Sequence, residues 1–180
     1  MEFIEPTLNL SVILPIIILT VGTLVLMFVD FWVPDERKDI TGWLSLFPLG
    51  GALTAAFFQW DTIQAAFNNS VLQDNFGTFL SILYLITGML SVLISIAYIR
   101  TRGHGRSEFY FLMLFSIVGM ILMGMSNDLL LVFLALELLS IPLYIMSGFD
   151  RNDLNSEESA LKYFLLGAFS SGFLVFGIAL

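Results

Sequence analysis

The chain has 180 residues, a formal net charge of −8, 58% hydrophobic residues and only 12% charged ones. Soluble domains carry roughly a quarter charged residues, so this supply of polar groups cannot cover a water-facing surface, and the chain is read as an integral membrane protein. With 7 Lys and Arg against 15 Asp and Glu, and no cysteine, the sequence offers no nucleic-acid footprint, no disulfide framework, no thiolate metal site and no cysteine-held iron–sulfur cluster.

Six hydrophobic segments follow one another, each near the ~20 residues a helix needs to cross ~30 Å of hydrocarbon. Barrel strands would be shorter and alternate in polarity, so the fold class is all-α, a polytopic transmembrane helix bundle. The first segment runs from about Leu8 to Val33. Its leader, MEFIEPT, has no positive charge and its apolar run is too long for a cleaved signal peptide. Asp30 ends it beside Phe31 and Trp32 and is read as interfacial. The second runs from about Thr41 to Phe58, with small residues spaced by four at Gly51–Ala55 and Ala52–Ala56 for close helix contact. Pro15 and Pro48 are expected to kink or break their helices. The loop Gln59–Asn75 carries Asp61 and Asp74 and a glycosylation-type triplet at Asn68–Ser70, which short sequences produce by chance.

The third segment is Phe76 to Ile99. After it, the lone histidine, His104, sits between two glycines and reads as a solvated loop residue, since no second histidine exists to complete a metal site. The fourth segment is Phe109 to Met125, where Met113, Met120, Met123 and Met125 read as gap-filling packing. Only Ser126–Asp128 separates it from the fifth, Leu129 to Met146, so these two form a tight antiparallel hairpin, with Asp128 a helix-start charge. The sixth starts near Ser159 and continues to Leu180, where the apolar run GFLVFGIAL ends without a polar flank. On that ground the chain is expected to be a fragment lacking a C-terminal part.

Charge placement gives an orientation. Arg37, Lys38, Arg100, Arg102 and Arg106 lie in the loops after the first and third segments, and Arg151 follows the fifth. The N-terminus and the loops after the second and fourth segments have none. Positive loops stay inside, which places the N-terminus outside.

The most informative residue is Glu137, inside the unbroken apolar stretch of the fifth segment, about 12 Å along a helix from its nearer end. A charged side chain near the bilayer centre costs roughly 2.5–3.5 kcal/mol on insertion scales, and such residues mark ion or proton paths by default. Ser140 and Tyr144 follow three and seven residues later, on the same helix face. Pro142 lacks an N–H, so the carbonyl of Leu138 loses its usual helical partner and is free to hold a water. A carboxylate, a hydroxyl, a phenol and a freed carbonyl are the parts of a proton relay. The competing reading is a buried structural carboxylate, neutral or hydrogen-bonded to a neighbouring helix.

In the sixth segment Asn155 and Glu158 fit a capping-box-like start. Lys162 is the last charge before the hydrocarbon run. Two readings stay open for it. It pairs with Glu158 at i, i+4 and snorkels to the interface, or it turns inward to face Glu137. Gly167–Ser171 gives a further small-residue spacing for helix contact.

The stretches LALELLSIPLYIMSGF (Leu134–Phe149) and NSEESALKYFLLGAFSSGF (Asn155–Phe173) resemble the antiporter-like membrane subunits of respiratory complex I, with the closest likeness to the subunit N group of NADH–quinone oxidoreductase. The first three segments match only in hydropathy and placement. The resemblance implies about fourteen helices with two inverted repeats after three leading helices. Residues 1–108 would supply the three leading helices, and residues 109–180 the first three of an antiporter-like proton-translocating repeat. Glu137 matches the family's fifth-helix glutamate, and Lys162 the lysine of the ALKYF segment. The family's central lysines would lie on later helices.

The implied function is redox-coupled proton pumping, with Glu137 and Lys162 as relay members and Ser140 and Tyr144 as secondary candidates. No metal or cofactor is expected in this chain; NADH and quinone would be used by the whole complex. The expected partners are other complex I membrane subunits and the lipid bilayer, with no nucleic acid. The expected location is a bacterial inner membrane, or an organellar inner or thylakoid membrane. Two rivals remain, a cation/proton antiporter subunit and a non-catalytic membrane scaffold.

Overall fold

A computed structural model describes residues 9–34, 37–101, 107–150 and 152–180, with the side chains of residues 100 and 101 excepted. The leader, His104, Arg102, Arg106, Arg151 and the side chain of Arg100 therefore lie outside the described residues. Among those described, the helices are α1 (Leu14–Asp30), α2 (Asp39–Leu44), α3 (Leu46–Phe58), α4 (Asn75–Thr101), α5 (Glu108–Gly124), α6 (Leu129–Ser147) and α7 (Leu154–Ala179). The α2–α3 pair, α4, α6 and α7 are long and apolar enough to cross a membrane, and α1 and α5 are apolar helices of 17 residues each. At 1.5 Å per residue, 17 residues reach about 25 Å, so the six expected segments all form helices of spanning or near-spanning length.

Local sequence sets the helix ends. Pro15 does not kink α1; it stands in the first turn, where its missing N–H costs nothing, and the helix starts at Leu14 rather than near Leu8. The second segment is divided at Ser45. Pro48 cannot donate to the carbonyl one turn earlier, and the Ser45 hydroxyl donates to the Gly42 carbonyl at 2.7 Å. Asp128 caps α6, accepting from the Leu130 amide at 2.7 Å. The sixth segment begins earlier than expected, at Leu154, and its cap is Asp153 rather than Asn155, with the Asn155 amide donating to Asp153 Oδ1 at 3.0 Å.

The elements pack as a chain of neighbours: α1 on α3 and α5, α3 on α4, α4 on α5, α5 on α6 and α6 on α7. Leu19, Leu49, Leu85, Val92, Leu114, Ile117 and Ile121 form the buried centre. Lipid tails are as apolar as leucine, so helix association here rests on close packing and interhelical hydrogen bonds. The α5–α6 crossing shows both. A Cβ on Gly119 would lie 2.5 Å from the Leu139 amide nitrogen, so only glycine allows this approach. Beside it the Ser116 hydroxyl donates to the Leu139 carbonyl at 3.2 Å.

The loop between α3 and α4 holds a β-hairpin the sequence reading did not anticipate. Strands β1 (Gln64–Ala66) and β2 (Val71–Gln73) pair antiparallel, with Ala65 opposite Leu72. The turn residues Phe67, Asn68 and Asn69 all have positive φ, which Asn adopts far more readily than Phe. The other edge of β2 is stitched to the α5–α6 turn. The Leu72 amide donates to the Met125 carbonyl at 2.9 Å, and the Asn127 amide to the Ser70 carbonyl at 2.8 Å.

At the opposite end of the bundle Asp30 is the centre of a polar knot. Lys38 Nζ lies 2.9 Å from Asp30 Oδ2, and the hydroxyls of Thr41 and Ser107 each donate to Oδ1 at 2.5 Å. Thr41 and Ser107 are buried, and the Asp30 side chain keeps only 14% of its accessible surface. One carboxylate thus ties the end of α1 to the α1–α2 connection, to α2 and to the start of α5.

Candidate functional site

The site lies along the seam between α6 and α7. On α6, Ala135 and Leu139 face α5 at Gly119. Glu137 is two residues from each, about 200° round the helix, and so points to the other side. There α7 covers it, and the Ser171 hydroxyl donates to Glu137 Oε1. Seven residues further along α6, Tyr144 lies on the same face. Its ring meets Tyr163 edge-on at 4.8 Å and Phe164 at 5.9 Å, and its hydroxyl sits over Gly167 so closely that any side chain there would collide with it. The seam therefore has two rungs, Glu137 on Ser171 and Tyr144 on Gly167. Its base is closed by the Ser156 hydroxyl, which donates to the Ser147 carbonyl at 3.0 Å.

Pro142 is buried inside α6 and the helix runs on through it. The hydroxyls near it are engaged with main chain. Ser140 donates to its own helix at the Leu136 carbonyl, 2.7 Å away. Ser116 reaches across from α5 to the Leu139 carbonyl, one residue past the Leu138 carbonyl that the proline frees.

Of the four residues singled out from the sequence, Glu137 and Tyr144 come together in one seam. Ser140 has its proton committed to main chain. Lys162 stands apart: its ammonium pairs with Glu158 at 2.5 Å, and the two side chains are 70% and 61% exposed. It precedes Ser171 by nine residues, about 13 Å along the α7 axis. The pairing at i, i+4 is the arrangement of the interfacial reading. Among the described residues no three His, Cys, Asp or Glu side chains converge to hold a metal ion.

Two side-chain contacts of this region were not assigned from sequence. Ser171 was visible only as the second member of the Gly167–Ser171 spacing, which marked a close helix contact without naming its partner. Ser116 carried no signal beyond being a hydroxyl in an apolar helix.

Residues 126–180 match the family model described as NADH:quinone oxidoreductase/Mrp antiporter, transmembrane. NADH-quinone oxidoreductase subunit N of Trichlorobacter lovleyi is 45% identical over 174 residues, covering 97% of this chain and 36% of that protein. Its namesake in Chloroflexus aggregans is 39% identical over 179 residues, again covering 97% of this chain and 36% of the relative. In structure the chain is similar to one in respiratory complex I from Thermus thermophilus with bound aureothin, with a TM-score of 0.75, 30% identity, and coverage of 91% of this chain and 35% of that one. The chain thus spans little more than a third of the length of the relatives it matches.

Proposed function

This chain belongs to the subunit N family of NADH-quinone oxidoreductases, and from that premise we propose that it is part of the membrane subunit that moves protons in such a complex. Glu137 is the relay carboxylate and Lys162 a second relay member. Tyr144 is a secondary member in the same seam, and Ser140 one that must first release its main-chain bond. The observation that carries the reading is the placement of Glu137. An acid inside an apolar helix faces a neighbouring helix and a hydroxyl, within the residues that match the family model. Approach of a cation to a carboxylate favours its ionised form and withdrawal favours proton uptake, which is the chemistry a relay needs. For Lys162 that role requires exchanging its Glu158 partner and reaching inward along α7.

In this reading the chain itself performs no redox chemistry. NADH and quinone are handled by the other subunits of the complex, which are its partners together with lipid. Residues 1–108 serve as the leading helices, and residues 109–180 open the proton-translocating repeat. The relatives and the placement of Arg37 and Lys38 support a bacterial plasma membrane, with the Asp30 end inside and the hairpin end outside.

The test is Glu137→Gln in the full-length subunit within the assembled complex. Protons translocated per electron are expected to fall with quinone reduction still measurable; normal stoichiometry and turnover would sink the relay. A second reading, a cation/proton antiporter subunit, is favoured by the family description, which names both classes. Sodium–proton exchange without co-purifying quinone-reductase subunits would select it. Full coupling with Glu137 neutralised would select a scaffold.

A further inference from the structure

We propose that Ser171 is a positioning residue for Glu137, its hydroxyl holding the carboxylate in the α6–α7 seam. This rests on the relay reading of Glu137 and extends it to a residue outside the sequence-derived set.

Three observations meet at this contact. First, the α5-facing side of α6 is closed to Glu137, because Gly119 lies against the Leu139 backbone and the Ala135 carbonyl on the opposite face. Among the described residues, the partner Glu137 meets is on the α7 side. Second, Ser171 meets it there with a hydroxyl that donates to the carboxylate, whereas the adjacent Ser170 turns back to its own helix at the Leu166 carbonyl, 2.9 Å away. Serine and threonine in helices commonly return to the carbonyl four residues earlier, as Ser81, Ser95, Ser126, Ser140 and Ser159 also do here. Ser171 departs from that habit to reach another helix. Third, α7 meets α6 in order along its length: Ser156 on Ser147 at the base, Tyr144 over Gly167 midway, and Ser171 on Glu137 furthest out.

That order has a mechanical meaning. A tilt of α7 about its base moves Ser171 further than it moves Gly167 or Ser156. The Glu137 hydrogen bond is then the first of the three to lengthen. A carboxylate that loses a hydrogen-bond donor in an apolar surround is destabilised as an anion. Ser171 thereby couples the seating of the Glu137 carboxylate to the position of α7.

The experiment uses the full-length subunit in the assembled, membrane-reconstituted complex, with Ser171→Ala, Ser171→Thr and Glu137→Gln compared with wild type. Two quantities are read: the coupled proton-transfer rate, and the carboxylic C=O band in redox-induced infrared difference spectra, assigned by its loss in Glu137→Gln. Ser171→Ala is expected to shift that band and to slow coupled proton transfer roughly tenfold, the factor that goes with one charge-assisted hydrogen bond. Ser171→Thr, which keeps the hydroxyl, is expected to restore both. An unshifted band with wild-type transfer in Ser171→Ala, or equal damage from Ala and Thr, would overturn the positioning role. A harmful Glu137→Gln beside a silent Ser171→Ala overturns only this inference. A harmless Glu137→Gln overturns the relay itself, and the band shift then still decides whether Ser171 holds the carboxylate.

Discussion

Asp30 and Glu137 are both carboxylates on apolar helices, and the chain treats them in opposite ways. Asp30 is saturated: a lysine ammonium and two hydroxyls converge on it, and they come from three different stretches of chain. Among the described residues Glu137 accepts from one side-chain donor, Ser171 of α7. A carboxylate locked by several donors has no reason to change its protonation or its partner. One held by a single hydroxyl can do both. The same functional group is thus a rivet at one end of the bundle and, on the proposed reading, an exchangeable part in the middle.

Substitutions can break this contrast or sharpen it. The largest expected effect on stability is that of Asp30→Ala. It removes the acceptor that Lys38, Thr41 and Ser107 share, at roughly 1.5–3 kcal/mol for a hydrogen bond to a charged group. Subunit abundance and the melting temperature of the purified complex should both fall, while any complex that assembles keeps its proton-to-electron ratio. Normal abundance would break the comparison. Ser107→Ala removes one hydrogen bond to the charged group and should cost roughly 1.5–3 kcal/mol, read as a smaller drop in the same melting experiment. Glu137→Gln should leave melting nearly unchanged while damaging proton transfer, the inverse of the Asp30 result. The smallest structural effect is expected for Lys162→Ala. Its pairing with Glu158 is exposed, so melting and abundance should not move, and slowed coupled proton transfer would be its only signature. Unchanged transfer would leave Lys162 as an interfacial residue.

The six apolar segments were legible because each carries its own signal, a long run rich in Leu, Ile, Val, Met and Phe. Glu137 was legible for the same reason, as an interruption of such a run. What escaped the sequence depends on who faces whom. The partners of Asp30 were not visible, because Lys38, Thr41 and Ser107 stand 8, 11 and 77 residues away. Ser171 looked like a small residue in a contact motif, and only the antiparallel seating of α7 on α6 turns its hydroxyl to Glu137. The start of α7 was displaced because Asp153 and Asn155 are both competent caps and only backbone geometry selects the first. The hairpin was missed because strands of three residues are too short to show a period of two.

The hairpin also has a bearing on Glu137. Because β2 is bonded on both edges, to β1 and to the Met125–Asn127 turn, the start of α6 is anchored to a small ribbon rather than left as a loose bend. Sliding α6 lengthwise would tear those main-chain bonds, so the helix is free to roll or lean but not to piston. The ribbon is in effect a zero mark from which the acid is measured, some two turns down. A rearrangement at this carboxylate is therefore confined to rolling or leaning of α6 and to sideways travel of its neighbours.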